Sequence, residues 1–281
     1  MNGAGMSGPR LTVVVPTRDR PAHLAGCLAA LRPQLHADDE LLVVDSASRV
    51  PVPDALRVDL AGASRARNAG WRAASGELVA FLDDDVRVAP GWRRAVETAV
   101  EGVAFACGRV AVPPSQEGGE RPVAVTPDVP ETLLDSRSHE VLGVSANLVV
   151  RREVLRAVGG FDDRLGPGTW FCAAEDVVLL DRLLAAGHVG RYAPVLLAHH
   201  EQWRGRRDLL RLDWGYGKGA GARAVLAGGS RGRRLARTSL WEQALQPVPG
   251  DVRRGYGFGV ATGLVRAGGT LVGLAAARAR L

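Results

Sequence analysis

Three consecutive aspartates follow an apolar stretch in the segment LVAFLDDDVRV, residues 78–88. Carboxylates this close repel one another and disfavour full ionisation, and a bound cation would relieve that repulsion. Asp83 and Asp85 are two residues apart, so in an extended segment their side chains point to the same side. The spacing therefore indicates either a site for a hard divalent cation or an acidic surface turn.

Two further apolar runs precede the aspartates, and each also ends in polar residues. Residues 11–15 run into Pro16, Thr17 and Arg18, and the segment ELLVVDSAS reaches a polar end at Asp45. Runs that are apolar throughout are typical of strands buried on both faces of a parallel sheet. Ligands bind beyond the carboxyl ends of such strands, so convergence of these polar ends in one crevice favours the cation site over a surface turn.

Helical segments alternate with these strands and predict the fold. PAHLAGCLAALRPQ repeats apolar residues at helical spacing, and ASRARNAGWRAASG predicts a second helix that ends near Gly76. Strand, helix, strand, helix, strand at this pitch predicts right-handed crossovers. We therefore expect an α/β fold with a Rossmann-like, doubly wound, mostly parallel sheet.

The second half of the chain contains three segments of different character. Residues 113–140 are rich in Pro, Gly, Glu and Ser and predict a long mobile loop. AAEDVVLLDRLLAAG predicts a strong helix with Glu175 and Asp176 in its first turn. YAPVLLAHH predicts a short strand that ends in His199 and His200.

Charge divides the chain unevenly. The net charge is +6, but residues 201–281 carry 15 basic residues against five acidic ones. We therefore expect a domain of residues 1–200 and an Arg-rich helical extension with Gly breaks over residues 201–281. The extension is suited to an anionic membrane or a phosphorylated substrate, or is only a solvated surface. Sparse aromatic residues and the lack of a binding motif argue against nucleic acid.

Cysteine usage and hydropathy bear on location. The three cysteines are widely spaced and form neither a disulfide framework nor a metal pattern. The first ten residues lack the apolar stretch of a signal peptide, and no uncharged run is long enough to predict a transmembrane helix. We expect a cytoplasmic protein that the basic extension could bring to the inner face of the membrane.

Six motifs occur in an order that is familiar from one enzyme family: VVVPTRDR, ELLVVDSAS, SRARNAG, LVAFLDDDV, SANLVVRREVLRAVGGFDDRL and AEDVVLLDRLLAAG. Over residues 11–200 the chain resembles the family-2 inverting glycosyltransferases of the GT-A fold. The resemblance implies metal-dependent transfer of a sugar, with inversion, from a nucleotide-diphosphate sugar to a hydroxyl-bearing acceptor. Processive members carry Q-x-x-R-W and several membrane helices. This chain has EQWRG and none of those helices, which favours transfer of one sugar.

The resemblance also implies roles for the polar residues of the first half of the chain. The nucleotide-sugar site would contain Pro16, Thr17, Arg18, Asp45, Arg67, Asn68, Asp83 and Asp84. A divalent metal, Mn²⁺ or Mg²⁺, would bind Asp85 and His199, with His200 as the alternative to His199.

In the second half, the same resemblance makes Asp176 the general base, with Glu175 beside it. Asn147 and Trp170 would contact the acceptor. Structural roles remain open for several of these residues: Glu175 and Asp176 could complement the helix dipole, and Trp170 could be core packing or a platform on which a sugar stacks.

Structural roles are equally open for three residues of the nucleotide-sugar and metal sites. Asp45 could cap a turn, Arg67 could lie on a helix surface, and His199 could be a partner for a carbonyl.

Two other functions compete with glycosyl transfer. Haloacid-dehalogenase-type phosphatases also place D-x-D-x-[TV] after an apolar strand, and DDDV fits that pattern with Asp83 as nucleophile. That motif normally opens its domain, whereas here two strand–helix units precede it. A non-catalytic relative that binds a nucleotide sugar is the second alternative. Because Asp85 and Asp176 are both present, an active enzyme is favoured.

Overall fold

The structure is a computed structural model that describes residues 9–116, 123–138, 142–245 and 259–281. The chain forms two compact units. The described part of the first comprises residues 9–113, 124–138, 142–160 and 179–201, and that of the second comprises residues 114–116, 123, 161–178, 202–245 and 259–281. The second unit thus draws on segments before residue 200, and the boundary expected there stays a prediction.

Nine strands form one sheet in the first unit. They are β1 (Leu11–Thr17), β2 (Glu40–Ser46), β3 (Leu56–Val58), β4 (Leu78–Leu82), β5 (Val86–Val88), β6 (Phe105–Ala111), β7 (Thr132–Leu134), β8 (Asn147–Arg151) and β9 (Gly190–His200). Their order is β3-β2-β1-β4-β8-β6-β9-β5, and β7 pairs with β9. Pairing is parallel from β3 to β4 and between β6 and β9. The predicted α/β class is confirmed.

Eight α-helices accompany the sheet in the described part of the chain. They are α1 (Pro21–Leu31), α2 (Ala63–Ala73), α3 (Trp92–Ala99), α4 (Arg152–Val158), α5 (Glu175–Ala185), α6 (Arg206–Ala227), α7 (Gly229–Leu245) and α8 (Gly259–Arg280). Helix α5 begins in the second unit and continues in the first, whereas α6, α7 and α8 belong to the second unit. No described helix is both long enough and apolar enough to be a candidate membrane span.

Burial of β1 on both faces explains its apolar sequence. Val13 and Val15 join a core that includes residues of α1 and α3. Val14, on the opposite face, lies so near α2 that a Cβ built on Gly70 would be 2.3 Å from it. Helices therefore cover both faces of the strand whose carboxyl end carries Thr17.

A buried ion pair anchors α3 to the start of β1. Asp39 and Arg93 have side chains that are 1% and 3% exposed, and Arg93 Nε lies 2.6 Å from Asp39 Oδ2. Asp39 also accepts a hydrogen bond from the backbone N–H of Leu11 at 3.1 Å. Burial tends to raise the pKa of Asp39, but the bonds from Arg93 and backbone N–H groups outweigh it, so that the pKa is lowered overall.

Three features of the fold differ from the sequence-based expectation. The first is that no element was predicted at β3, β5, α3 or β6, and the second is that β7 lies inside the segment 113–140, which was expected to be a loop. A three-residue edge strand has no periodicity to detect. Residues 117–122 and 139–140 of that segment lie outside the described residues.

The third difference concerns the glycines of α6, which do not break the helix. A Cβ on Gly217 would lie 2.0 Å from the carbonyl oxygen of Arg266 in α8, and one on Gly221 would lie 2.5 Å from the backbone nitrogen of Leu274. The glycines therefore let the backbones of α6 and α8 approach closely. At the same contact Arg266 Nε donates to the buried Asp213 at 3.1 Å.

Candidate active site

The three aspartates form a tight turn between β4 and β5. The backbone N–H of Val86 donates to the carbonyl of Asp83 at 3.2 Å, and β5 then pairs antiparallel with β9. In the same sheet, the parallel register sets Thr17 of β1 opposite Asp45 of β2. The polar residues at the ends of β1, β2 and β4 thus lie at one edge of the sheet, as the sequence predicts.

Asp83, Asp85 and His200 form a candidate metal centre. Their ligand atoms all lie within 4.8 Å of one another, and His200 Nε2 is 3.3 Å from Asp85 Oδ1. Two carboxylates and one imidazole are a donor set suited to Mn²⁺, and carboxylates also suit Mg²⁺. The residues that the structure brings together therefore fit a divalent cation.

The register of β5 on β9 decides which histidine joins this centre. Val86 lies opposite His200, and Arg87 lies opposite His199. Because successive strand residues point to opposite faces, only one of the two histidines can turn towards Asp85. The structure places His200 there, so the predicted ligand His199 is replaced by its alternative. His199 is half-buried, and burial together with the charge of Arg109 lowers its pKa.

Asp84 is buried and accepts hydrogen bonds from two neighbouring side chains. Its Oδ2 accepts hydrogen bonds from Thr17 Oγ1 at 2.6 Å and from Arg20 Nε at 3.1 Å. Burial raises the pKa of Asp84 to about 6, although Arg20 and Thr17 act in the opposite direction. As placed, Asp84 positions Thr17 and Arg20, and its direct contact with a nucleotide sugar stays a prediction.

Arg20 is the residue that sequence reasoning missed. Its guanidinium spans two aspartates, with Nη2 at 2.5 Å from Asp84 Oδ1 and Nη1 at 3.0 Å from Asp85 Oδ2. This contact favours the ionised form of the carboxylates. The signal was present in the segment TRDR, where a second arginine follows the carboxyl end of β1.

Arg67 belongs to the cluster, and Asn68 bonds to a neighbour on its own helix. Arg67 is 2% exposed and its Nη2 donates to Asp83 Oδ1 at 2.7 Å. It is therefore not a surface residue of α2. Asn68 Oδ1 accepts a hydrogen bond from Trp71 Nε1 at 2.8 Å. A Cβ built on Gly160 would lie within 2.6 Å of Asn68 Oδ1 and of Trp71 Nε1. As placed, Asn68 packs α2 against the segment at Gly160.

Asp45 holds the loop that follows β2. It is fully buried and accepts hydrogen bonds from the backbone N–H groups of Ser48 at 2.9 Å and Val52 at 3.3 Å, and from Arg57. Burial alone would raise the pKa of Asp45, but these hydrogen bonds lower it overall. The contacts match the turn-capping alternative, and recognition of a base by Asp45 stays a prediction.

Pro16 and Arg18, the other residues expected at the nucleotide, flank Thr17. Pro16 is buried in β1 opposite Val44, and Arg18 is exposed.

Asn147 is not available to an acceptor. It is fully buried, its Oδ1 accepts from Trp92 Nε1 at 3.0 Å, and its Nδ2 donates to the carbonyls of Leu196 at 2.8 Å and Arg109 at 3.1 Å. The register between β6 and β9 shifts between Gly108 and Arg109. Asn147 thus satisfies carbonyl groups at an irregularity of the sheet, and the structure does not support the predicted acceptor contact.

The two candidate bases lie in the second unit, in the first turn of α5. Glu175 is buried, and Asp176 is half-buried with Oδ1 accepting from the backbone N–H of Val177 at 2.7 Å. The apolar residues that follow in α5 are buried and anchor the helix: Val178, Leu179, Leu183 and Leu184. Burial raises the pKa of Tyr216 in α6 to about 12, and the charges of Asp176 and Glu175 add to this rise.

Trp170 is exposed rather than packed in a core. The residue is 39% exposed, and its ring meets that of Phe171 edge-on, with ring centroids 5.0 Å apart. The Lys218 Nζ and the Arg280 guanidinium carbon each lie over the Trp170 ring, 4.6 Å from its centroid. The core-packing alternative does not hold, and two cations lie where a sugar would stack.

Comparison with known proteins bears on both the fold and the activity. The sequence model of glycosyl transferase family 2 matches residues 12–159. A pre-mycofactocin glycosyltransferase of Mycobacterium tuberculosis is 32% identical over 244 residues, covering 79% of this chain. The chain spans 49% of the length of that relative.

Two solved structures share the fold. The mannosyltransferase PcManGT from Pyrobaculum calidifontis, in complex with GDP-Man and Mn²⁺, has a TM-score of 0.60 at 18% identity, covering 98% of this chain and 77% of its own. TarS from S. aureus, in complex with UDP-GlcNAc, has a TM-score of 0.56 at 12% identity, covering 96% and 92%. The predicted GT-A type is confirmed, and none of these comparisons supports the phosphatase alternative.

Proposed function

Because the chain belongs to glycosyl transferase family 2, we propose that it transfers one sugar, with inversion, from a nucleotide-diphosphate sugar to a hydroxyl-bearing acceptor. The observation that carries the proposal is the cluster of Asp83, Asp85 and His200 at the end of β4. A sugar diphosphate is anionic, so carboxylates alone would repel it. Carboxylates that hold a divalent cation would attract it.

Asp85 and His200 would hold the cation, and Asp83, bonded to Arg67, would lie beside the ribose. When bound, the cation would stabilise the negative charge that develops on the leaving diphosphate. The complex of PcManGT with GDP-Man and Mn²⁺ supports a divalent cation of this kind. Arg20 would keep Asp84 and Asp85 in place, because it contacts both carboxylates.

Asp176 would take the proton from the acceptor hydroxyl. Inversion by single displacement needs a base on the side opposite the leaving group, and its loss typically costs about 10²–10⁴ in rate. The helix dipole favours the ionised form of Asp176 in the first turn of α5. Glu175 is the matched control, since it is the adjacent carboxylate in the same turn. Asp176→Asn should lower turnover by about 10²–10⁴ and keep donor binding. Retained turnover in Asp176→Asn, with loss of turnover in Glu175→Gln, would move the base to Glu175.

The donor class can be tested without knowing the acceptor. Thermal unfolding would be followed with GDP-mannose, UDP-GlcNAc and other nucleotide sugars, each with Mn²⁺ and with EDTA. A ligand at 100 times its Kd stabilises the folded state by about 2.7 kcal/mol. We expect stabilisation by donors of one nucleotide base only, and only with metal. Absence of any metal-dependent shift across the panel would contradict the proposal.

We also propose that α7 brings the protein to an anionic membrane. Arg233, Arg234, Arg237 and Trp241 are all exposed and fall on one face of this helix. Arginines near an anionic membrane are attracted by its surface potential, and tryptophan is enriched at membrane–water interfaces. Each arginine near such a surface contributes about 1 kcal/mol, so the double variant of Arg233→Gln and Arg234→Gln should weaken binding roughly 30-fold.

The membrane test is sedimentation with phosphatidylglycerol vesicles. A matched variant, Arg94→Gln with Arg156→Gln, removes the same charge from exposed positions of the first unit. We expect this control to bind like the unchanged protein. If both double variants lose binding equally, the effect reflects net charge and α7 is not a docking surface.

A further inference from the structure

The loop that presents Trp170 is held in an unusual conformation. Cys172 and Ala174 have φ angles of 65° and 74°, although neither is glycine. Conformations of this kind cost of the order of 1–3 kcal/mol each and persist where the surroundings impose them. The surroundings here are α6: a Cβ on Gly215 would lie 2.9 Å from Cys172 Cβ, and one on Gly219 would lie 2.8 Å from the backbone of Ala173.

Two cations flank the ring that this loop presents. Besides lying over the ring, the Lys218 Nζ donates a hydrogen bond to the carbonyl of Trp170. Lys218 is the only lysine in a chain with 36 Lys and Arg residues. An ammonium group has three N–H donors, so two remain after the bond to Trp170. Arg280 contributes a second positive charge over the same ring.

These cations differ from their neighbours in lacking an acidic partner. In the same unit Arg164 pairs with Asp162 at 2.7 Å, and Arg266 pairs with Asp213. Within the described ranges, neither Lys218 nor Arg280 forms an ion pair with a carboxylate. Two like charges at one ring repel each other, and a bound anion relieves that repulsion.

We propose that Trp170, Lys218 and Arg280 form an anion-binding subsite that recognises a phosphate or carboxylate group of the acceptor. The assignment to the acceptor rests on the proposed function, because Trp170 precedes Glu175 and Asp176 by only five and six residues along the chain. The cations over the ring disfavour simple stacking of a neutral sugar there. An oxyanion instead accepts charge-assisted hydrogen bonds from both cations.

The single lysine provides a direct probe. Protein labelled with ¹³C-lysine gives one side-chain Cε signal, which is followed by NMR during addition of inorganic phosphate, acetate or chloride at constant ionic strength. We expect a saturable shift with phosphate or acetate and none with chloride. Arg280→Gln should weaken this binding about tenfold, the effect of one charge-assisted hydrogen bond. Arg278→Gln is the matched control, an exposed arginine of the same helical turn.

Two outcomes of this titration overturn the subsite. One is a signal that responds in a saturable manner neither to dissolved oxyanions nor to phosphatidylglycerol vesicles. The other is an equal loss of affinity in Arg278→Gln and Arg280→Gln, which would mean a general effect of charge. A shift of the Lys218 signal with dissolved phosphate, in the absence of vesicles, assigns the bound oxyanion to a small-molecule acceptor. A shift only with phosphatidylglycerol vesicles, and none with phosphatidylcholine, assigns it to a lipid headgroup.

A second experiment separates the subsite from the proposed function. Transfer is measured with pairs of alcohols that differ only in a phosphate group, in the unchanged protein and in Lys218→Gln. We expect the unchanged protein to prefer the phosphorylated alcohol and Lys218→Gln to lose that preference while it keeps donor binding. If the unchanged protein does not prefer the phosphorylated alcohol, the subsite does not bind the acceptor. If phosphate shifts the Lys218 signal but no nucleotide sugar binds, the proposed function fails and the anion site stands.

Discussion

Two adjacent glycines of α8 provide a sharp test of how α6 and α8 pack. A Cβ on Gly269 would lie 2.4 Å from the carbonyl oxygen of Trp214 in α6, whereas one on Gly268 would meet only the end of the Trp214 side chain, at 3.3 Å. Each Gly→Ala change gains about 1 kcal/mol of helix propensity. At Gly269 the backbones must separate by about 1 Å, and overpacking of this kind costs about 1–3 kcal/mol.

The expected difference between Gly269→Ala and Gly268→Ala is therefore about 1–3 kcal/mol, with Gly268→Ala neutral or stabilising. Urea unfolding followed by far-ultraviolet circular dichroism measures it as a change in midpoint at equal slope. Because both variants carry the same propensity gain, their difference isolates the packing of the two helices. Equal stability of the two variants would refute the close contact, and with it the placement of Lys218 and Arg280 around one ring.

Two further predictions concern the first unit. His200→Ala should weaken Mn²⁺ binding at least tenfold, measured by calorimetry, whereas His199→Ala should leave the Mn²⁺ affinity unchanged. Equal effects of the two variants would refute the register of β5 on β9 as the origin of the site. Asp39→Asn should lower the free energy of unfolding at pH 7 by about 3–5 kcal/mol, because Arg93 then remains buried without its partner. The lowered pKa of Asp39 means that its stabilisation is present above the pKa of the unfolded state, about 3.9, and is lost as the pH falls through the folded value. The gap between Asp39→Asn and the unchanged protein should therefore narrow in acid, and a gap that is constant with pH would contradict the ion pair.

The parts of the site that the sequence predicts well are those that depend only on local sequence patterns. An apolar run followed by Asp83 and Asp85 marks the end of a buried strand, and this requires no knowledge of distant partners. The choice between His199 and His200 depends on the register of β5 on β9, and a slip of one residue exchanges the two. Arg20 is likewise recognised only when β1 and the aspartates are known to be adjacent in space.

Tertiary context also bears on two sequence-based inferences. The family resemblance implies that Asn147 contacts the acceptor, yet its Nδ2 donates inside the sheet to carbonyls at the β6–β9 irregularity. The glycines of α6 suggest breaks in the helix, because glycine is a poor helix former. Their role is visible only when α8 is seen against them, since a side chain at Gly217 would collide with its backbone.

The central claim is that Asp85 helps to hold a cation on which donor binding depends. Calorimetry with the nucleotide sugar identified by thermal unfolding, performed with Mn²⁺ and with EDTA, tests it on the unchanged protein, on Asp85→Ala and on Asp59→Ala, an exposed carboxylate outside the cluster. The account predicts that EDTA and Asp85→Ala each weaken binding at least tenfold and that Asp59→Ala does not. Donor affinity that is unchanged by both EDTA and Asp85→Ala would contradict it.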